Sequence, residues 1–165
     1  MTDLPLTFYP TPSLREPSKK VTVFNDELKK LAQEMGKAMK ANKGIGLAAP
    51  QIGKNIQMTV IGTEDGLLVL VNPRIYYKSF RKEISEEGCL SIPEVFGQVK
   101  RSLGVTIRAQ NVDGKKVTLR GKGLLARVIQ HEIDHLRGIL FIDRTKDLKG
   151  SGKLWDLVKK EKKIK

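Results

Sequence analysis

The chain has only two histidines, which stand four residues apart as His131 and His135, with Glu132 between them. On an α-helix, residues four apart project from the same face, so both imidazoles can bind one metal ion. Glu132 lies one step around the helix and can reach a water molecule on that ion. The same spacing also suits a pair of histidines without any ion, but the intervening glutamate favours a metal site with a catalytic base.

A catalytic metal site needs a third protein ligand and one open position. Cys89 is the only cysteine and lies in the segment EGCLS at residues 87–91. Its thiolate would complete a site with His131 and His135, and any other third ligand would have to be a carboxylate. A lone cysteine is usually a small apolar core residue, so Cys89 gains its weight from the surrounding motif.

Such a site predicts hydrolysis of an amide or a similar bond. A bound divalent ion lowers the pKa of a water molecule toward neutrality and so supplies a nucleophile. Glu132 would take the proton from that water and later give it to the leaving group. The oxyanion that forms needs further hydrogen-bond donors. Backbone N–H groups beside Cys89, or a side-chain amide on a rigid loop, are candidates.

The composition fits one compact enzyme domain. A chain of 165 residues that is 39% hydrophobic can build a real core, so we predict a single catalytic domain over residues 1–165. No apolar run is long enough to span a bilayer, and residues 1–10 lack the pattern of a signal peptide. One cysteine cannot form an intramolecular disulfide, which favours a reducing, cytoplasmic setting, or an organellar matrix if a longer precursor is processed.

The formal net charge is +13, which attracts polyanions. Residues 146–165 contain eight lysines and three acidic residues, and they form a predicted basic C-terminal helix or tail. Leu154, Trp155 and Val158 give this helix a short apolar stripe. We hypothesise that the tail binds ribosomal RNA, the alternative being a solvated chain end.

Helices flank a central group of predicted strands. The first helix begins after Asn25 or Asp26 and ends near residues 42–44, and the second carries the histidines and ends at Gly138. Because strands and helices do not alternate, the pattern predicts an α+β fold with antiparallel pairing. Between the helices we predict a loop at 44–51, strands at 56–61, 67–71 (closed by Asn72-Pro73) and 75–84, and a hairpin of 105–109 with 116–120.

Three motifs together resemble those of the peptide deformylase family. They are GIGLAAPQ at residues 44–51, EGCLS at 87–91 and HEIDH at 131–135, and their order and spacing match the family's signatures. The resemblance covers residues 5–145. It implies removal of the N-formyl group from the formyl-methionine of nascent polypeptides, with release of formate. It also implies antiparallel strands packed around a central HExxH helix, followed by a C-terminal helix.

The resemblance assigns the chemistry to particular residues. One divalent ion would be bound per chain, most typically Fe²⁺, with Zn²⁺ or Ni²⁺ as substitutes. Its ligands would be Cys89, His131 and His135, and Glu132 would be the general acid and base. The oxyanion would be held by the Gln51 side chain and the Leu90 backbone N–H.

The same resemblance predicts where the substrate binds. Gly44, Ile45 and Gly46 would contact the peptide, with Ile45 and Gly46 pairing with its backbone as in strand addition. Leu124 and Val128 would line an apolar pocket for the methionine side chain. No membrane contact is expected.

Residues around the ligands have expected supporting roles. Glu87 would form a structural pair with Arg101, and Asp134 would anchor the second helix by a hydrogen bond. Arg127 and Phe96 occupy positions that vary in the family and would affect the shape of the pocket.

Two other functions compete with this interpretation. A HExxH metallopeptidase would take its third ligand downstream, where Asp143 and Asp147 are the candidates. A basic RNA- or ribosome-binding module with a structural metal would need four protein ligands, and the chain has three histidine and cysteine residues in total.

Overall fold

The computed structural model describes residues 4–165, so the first three residues of the stretch expected to lack a signal peptide lie outside it. Within this range the fold is α+β with antiparallel sheets, as predicted. The helices are α1 (Asp26–Ala41), α2 (Gly123–Leu136) and α3 (Gly152–Lys162). None of them is long and apolar enough to cross a membrane.

The strands form two antiparallel sheets. In chain order they are β1 (Gly46–Ala48), β2 (Met58–Thr63), β3 (Gly66–Lys78), β4 (Lys82–Cys89), β5 (Ile92–Ser102), β6 (Gly104–Gln110), β7 (Lys116–Lys122) and β8 (Leu148–Gly150). The larger sheet has the order β1-β2-β3-β6-β7, and the smaller has the order β4-β5-β8.

The two longer helices cover opposite faces of the larger sheet. Met35 and Met39 of α1 pack with Met58 and Val60 of β2 on one face. On the other face, α2 packs against β1, β2, β6 and β7, and it also contacts β5 of the smaller sheet. The predicted HExxH helix is therefore α2, in contact with strands of both sheets.

The predicted helix boundaries are confirmed and have local causes. The Asn25 side chain accepts a hydrogen bond from the Leu28 N–H at 3.0 Å, which caps the start of α1. Gly138 has a φ of 73° just beyond α2, and a glycine adopts this left-handed conformation at low cost. The predicted C-terminal helix is α3, and Val158 anchors it by packing in the cluster that includes Leu14 and Ile92.

Several strand predictions were wrong at their boundaries. Asn72-Pro73 does not end β3, because Asn72 adopts a φ of 51° and the pairing register shifts there. The Asn72 side chain bonds the N–H and C=O of Val21, which holds the irregular backbone. The predicted strand 75–84 is divided by a bend at residues 79–81, so its two parts belong to β3 and β4.

The predicted loop at 44–51 contains β1 and the start of a 3-10 turn, Ala49–Ile52. The prediction also omitted β5 and β8 and most of β4. Strand β4 is mostly exposed and reads KEISEEGC, so it lacks the apolar alternation that identifies a half-buried strand. Its hairpin with β5 nevertheless carries Cys89.

Candidate active site

The three predicted metal ligands lie together where the end of β4 meets α2. One donor atom from each of Cys89, His131 and His135 lies within 4.8 Å of the others. The Cys89 Sγ is 3.3 Å from the His135 Nε2. Cys89 is the last residue of β4, while the two histidines occupy successive turns of α2. The structure therefore brings the predicted ligand set to one point.

Glu87 orients one of these histidines. Its Oε1 lies 2.9 Å from the His131 Nδ1, which leaves the His131 Nε2 free to face a metal ion. Burial alone would raise the pKa of Glu87, but hydrogen bonds from His131 and Arg101 outweigh it and hold the pKa at about 2. The predicted pair with Arg101 is confirmed, with two contacts of 2.9 Å. The role of Glu87 extends further, because it also holds His131.

Arg127 is a supporting residue that the sequence interpretation missed. It was expected to shape the pocket, but its guanidinium turns inward and donates to the Glu87 Oε2 at 2.6 Å. It also donates to the backbone carbonyls of Val99 and Glu83, each at 2.8 Å. Its position four residues before His131, on the same helix face, was the available sequence signal.

Asp134 ties the helix to the same network, as its predicted anchoring role requires. It accepts from Arg101 at 2.6 Å and from two nitrogens of Arg144, at 2.6 and 3.0 Å. Arg101 therefore bridges the carboxylates of Glu87 and Asp134. This arrangement fixes the end of β4 against α2, and with it the spacing of the metal ligands.

The electrostatics of the site favour a cation between the ligands. Burial works against protonation of His131, but hydrogen bonds to Cys89 and Glu87 outweigh burial and keep its pKa well above the usual value. The pKa of His135 lies well below the usual value because of burial, reinforced by the charges of His131 and Arg101. The donor set therefore attracts one positive centre, and a thiolate with two imidazoles suits a divalent transition metal.

Glu132 is buried beside the ligands and faces the adjacent cleft. Burial raises its pKa to about 7. Its Oε2 has no hydrogen-bond partner among the described residues. Gly46 makes this arrangement possible, because a Cβ at that position would overlap the Glu132 carboxylate. The carboxylate therefore has one oxygen free for a small polar ligand such as water.

The Gln51 side chain is held with its amide nitrogen toward Cys89. Its Oε1 accepts from the Ala48 N–H at 2.9 Å, which fixes the orientation of the amide. Its Nε2 lies 3.2 Å from the Ser91 Oγ and 3.5 Å from the Cys89 Sγ. Leu90 lies between Cys89 and Ser91, in the turn that joins β4 and β5. Both predicted oxyanion donors are thus next to a metal ligand.

A cleft of about 780 Å³ opens onto Cys89, His131 and Glu132. All the residues predicted to bind substrate line it. They are Gly44, Ile45, Gly46, Leu124 and Val128. Phe96 also lines the cleft, so its expected influence on the shape of the pocket is confirmed.

One wall of the cleft is an unpaired strand edge. Strand β1 is the outermost strand of its sheet. The Ile45 carbonyl accepts from the Gly62 N–H at 2.8 Å and so points toward β2. Because backbone groups alternate in direction along a strand, the N–H and C=O of Gly46 point away from β2. The free edge that a peptide could join therefore centres on Gly46.

Together, the buried Cys/His cluster, the adjacent carboxylate and the open cleft define a candidate metal-dependent hydrolase. The profile of the polypeptide deformylase family matches residues 4–151. The chain is 47% identical over 150 residues to a peptide deformylase of Acidobacterium capsulatum, covering 88% of each chain. It is also 47% identical over 141 residues to the chloroplastic peptide deformylase 1B of rice, covering 82% of this chain and 52% of that protein.

Solved structures agree with these relatives. The crystal structure of the Thermotoga maritima peptide deformylase matches with a TM-score of 0.85 and 39% identity, covering 87% of this chain and 97% of that one. The Synechococcus elongatus enzyme, solved in complex with actinonin, matches with a TM-score of 0.86 and 38% identity, covering 100% and 88%.

The chain belongs to the polypeptide deformylase family. It is a hydrolase that removes the N-formyl group from formyl-methionyl nascent peptides in a metal-dependent reaction, as the three motifs predicted. The metallopeptidase alternative fails at its third ligand, because Asp143 is engaged by Arg15 and Lys162 instead.

Proposed function

We propose that Cys89, His131 and His135 hold the single catalytic metal ion. The proposal rests on the convergence of their donor atoms within 4.8 Å, beside a buried carboxylate with a free oxygen. When bound, the ion would polarise the formyl carbonyl and lower the pKa of a water molecule. Glu87 would keep the His131 imidazole in the tautomer that leaves the Nε2 available.

Glu132 is the proposed general base and acid. Its free Oε2 would accept the proton of the attacking water, and the carboxylic acid would then return that proton to the departing amine nitrogen. The C–N bond of the formyl group breaks in this step, which releases formate and a free amino terminus. A carboxyl group with a pKa near neutrality suits both halves of this transfer.

Gln51 and Leu90 are the proposed donors to the oxyanion. The Ala48 N–H fixes the Gln51 amide so that its NH₂ group faces Cys89, and little reorganisation is needed during the reaction. The backbone N–H of Leu90 lies in the tight turn after Cys89 and would approach the same oxygen.

The peptide would bind along β1 and place its methionine side chain in the apolar part of the cleft. The free edge at Gly46 supports pairing in the manner of an added strand. Leu124 and Val128 line the apolar wall opposite. Gly44 allows the close approach of Leu90, whose side chain a Cβ at residue 44 would meet at 2.7 Å.

The ion in the cell is proposed to be Fe²⁺, with Zn²⁺ and Ni²⁺ as working substitutes. A thiolate ligand facing an open cleft is readily oxidised, so a reducing compartment, either cytoplasm or organellar matrix, suits this site. We also propose that residues 1–165 act as one catalytic domain, because the site needs both sheets and α2.

The ligand assignment can be tested by metal analysis of single variants. Cys89→Ala, His131→Ala and His135→Ala should each lose most of the roughly one equivalent of metal bound by the wild type. Asp143→Asn is the control, since the metallopeptidase alternative would use that carboxylate, and it should keep its metal. Full metal occupancy in Cys89→Ala, with loss in Asp143→Asn, would refute the assignment.

The basic tail is proposed to contact ribosomal RNA, but a simple truncation is a poor test. Removing residues after Lys149 would take away Val158, which packs in the core, and the contact of Glu161 with Arg15. The better variant is Lys153→Glu/Lys160→Glu, because both lysines are exposed. It should weaken co-sedimentation with ribosomes at low salt and leave hydrolysis of a short formyl-peptide intact. Unchanged co-sedimentation would end the proposal.

A further inference from the structure

The face of the larger sheet that α1 covers over β1–β3 is open to solvent over β6 and β7. Val105, Ile107 and Ala109 of β6 point to the core beneath α2. Because side chains alternate along a strand, Thr106 and Arg108 point to the opposite face. That face lies on the other side of the sheet from α2, so a ligand bound there would leave the catalytic cleft open.

Strand register identifies the neighbours of Arg108 on this open face. Arg108 is directly paired with Arg74 of β3 and with Thr118 of β7, and Thr106 is paired with Tyr77 and Arg120. Alternation along β7 adds Lys116 and Lys122. We name this surface the basic sheet face, and it comprises Arg74, Tyr76, Tyr77, Arg108, Lys116, Arg120 and Lys122.

The charge on the basic sheet face is of one sign and is not compensated. Strands β3, β6 and β7 together contain six lysines and arginines and no aspartate or glutamate. Among residues 4–165, none of the five cations of this face forms an ion pair. In contrast, Lys149, Lys159 and Lys162 of the tail all pair with carboxylates. A polyanion is therefore attracted to the sheet more directly than to the tail.

Exposed aromatic rings stand among these charges. Tyr76 and Tyr77 are 64% and 60% exposed, although strand tyrosines normally bury their rings. The Arg108 guanidinium carbon lies 3.6 Å from the centre of the Tyr76 ring. Phe80, in the bend that follows β3, is 97% exposed. Flat rings beside arginines on an open sheet are a surface on which unpaired bases can stack.

We propose that the basic sheet face binds RNA through a single-stranded or looped segment. Arg74, Arg108 and Arg120 would contact phosphates, while Tyr76 and Tyr77 would stack with bases. An acidic protein segment would be attracted by the charges but would make no use of the exposed rings. The substrate emerges from an RNA-rich machine, so such a contact would hold the enzyme near new formyl-methionyl chains.

Binding of a fluorescently labelled oligouridylate to the full-length, metal-loaded enzyme tests this inference. Arg108→Glu/Arg120→Glu should weaken binding at least tenfold at low salt, and each lost phosphate contact should reduce the salt slope by about 0.7. Tyr77→Leu should weaken binding roughly five- to a hundredfold and leave the salt slope unchanged, because stacking is not ionic.

The matched control is Lys153→Glu/Lys160→Glu, which changes the net charge equally on α3 and should bind RNA within a few-fold of the wild type. All variants should keep their circular dichroism and their turnover of a formyl-peptide. If charge reversal disturbs the sheet, the milder Arg108→Gln/Arg120→Gln replaces it. Wild-type affinity in the sheet variants, equal loss in the control, or equally tight binding of polyglutamate would overturn the proposal. Failure of the metal-site assignment would not affect it.

Discussion

Glu132 is buried next to three candidate metal ligands, yet one of its oxygens has no partner within the described chain. Glu132→Gln should keep the metal and lose most of the turnover, on the order of a hundred- to ten-thousandfold, because the amide cannot take the proton. Metal content and kcat for a formyl-peptide would be measured together. Glu64→Gln, an identical change at an exposed turn, is the control. A Glu132→Gln enzyme within a few-fold of wild type would remove Glu132 from the mechanism.

Gln51 offers a second test at the level of a single side chain. Gln51→Leu has a similar size but no donor, so the transition state should lose about 3 kcal/mol, or roughly a hundredfold or more in kcat. Metal content should stay near one equivalent, because Gln51 is not among the proposed ligands. Loss of the metal in parallel with activity would instead indicate that the Gln51 amide mainly positions Cys89.

Arg127 should matter through Glu87 and His131. Arg127→Met removes a charged hydrogen bond of 2.6 Å from a buried carboxylate, so the free energy of unfolding should fall by about 2 kcal/mol. Metal affinity should fall roughly tenfold, as is usual when support of a ligating histidine is weakened. Chemical denaturation and competition with a chelator measure the two effects. Arg81→Met, at an exposed bend, is the control, and equal effects in both variants would contradict this role.

At the scale of elements, Asp143 links the start of the chain to α3. Partial burial raises its pKa, but hydrogen bonds from Arg15 and Lys162 outweigh burial and keep the pKa below its usual value of 3.8. A carboxyl group with a depressed pKa stabilises the fold above its unfolded pKa, and this contribution is lost as the pH falls through the folded pKa.

Asp143→Asn should therefore lower the free energy of unfolding by about 1 kcal/mol at pH 7, with the deficit shrinking below about pH 4. Denaturation curves at several pH values would measure this. Asp156→Asn, which removes a carboxylate that is 73% exposed, should have little effect at any pH. A deficit for Asp143→Asn that persists unchanged at low pH would contradict the linkage.

The elements differ in how far sequence patterns could predict them. Helix α1 was predictable because its apolar spacing and its Asn25 cap are local features. The extension of β3 past Asn72-Pro73 was not, because a distant contact with Val21 holds that backbone. Strand β4 was missed because pairing with β5, not an apolar face, defines it.

The candidate site was more predictable than the fold around it. Cys89, His131 and His135 were identifiable because few other residues in this chain can ligate a metal. The contact of Glu87 with His131 was not predictable, because it joins residues 44 positions apart that only folding brings together.

At the scale of the whole molecule, the two sheets and α2 meet at one point, and that point is the metal-ligand cluster. The larger sheet supplies β1 and its free edge, the smaller sheet supplies Cys89, and α2 supplies both histidines and Glu132. The net charge of +13 is distributed away from this point, over the basic sheet face and the tail.

The most direct test of this account follows metal content and formate release together. The purified enzyme would be stripped by a chelator and then reloaded without oxygen, using Fe²⁺, Ni²⁺ or Zn²⁺. Turnover of a short formyl-methionyl peptide should disappear with the metal and return in proportion to it, reaching its maximum at about one ion per chain. Full turnover by metal-free enzyme, or a fully reloaded enzyme that remains inactive, would contradict the account.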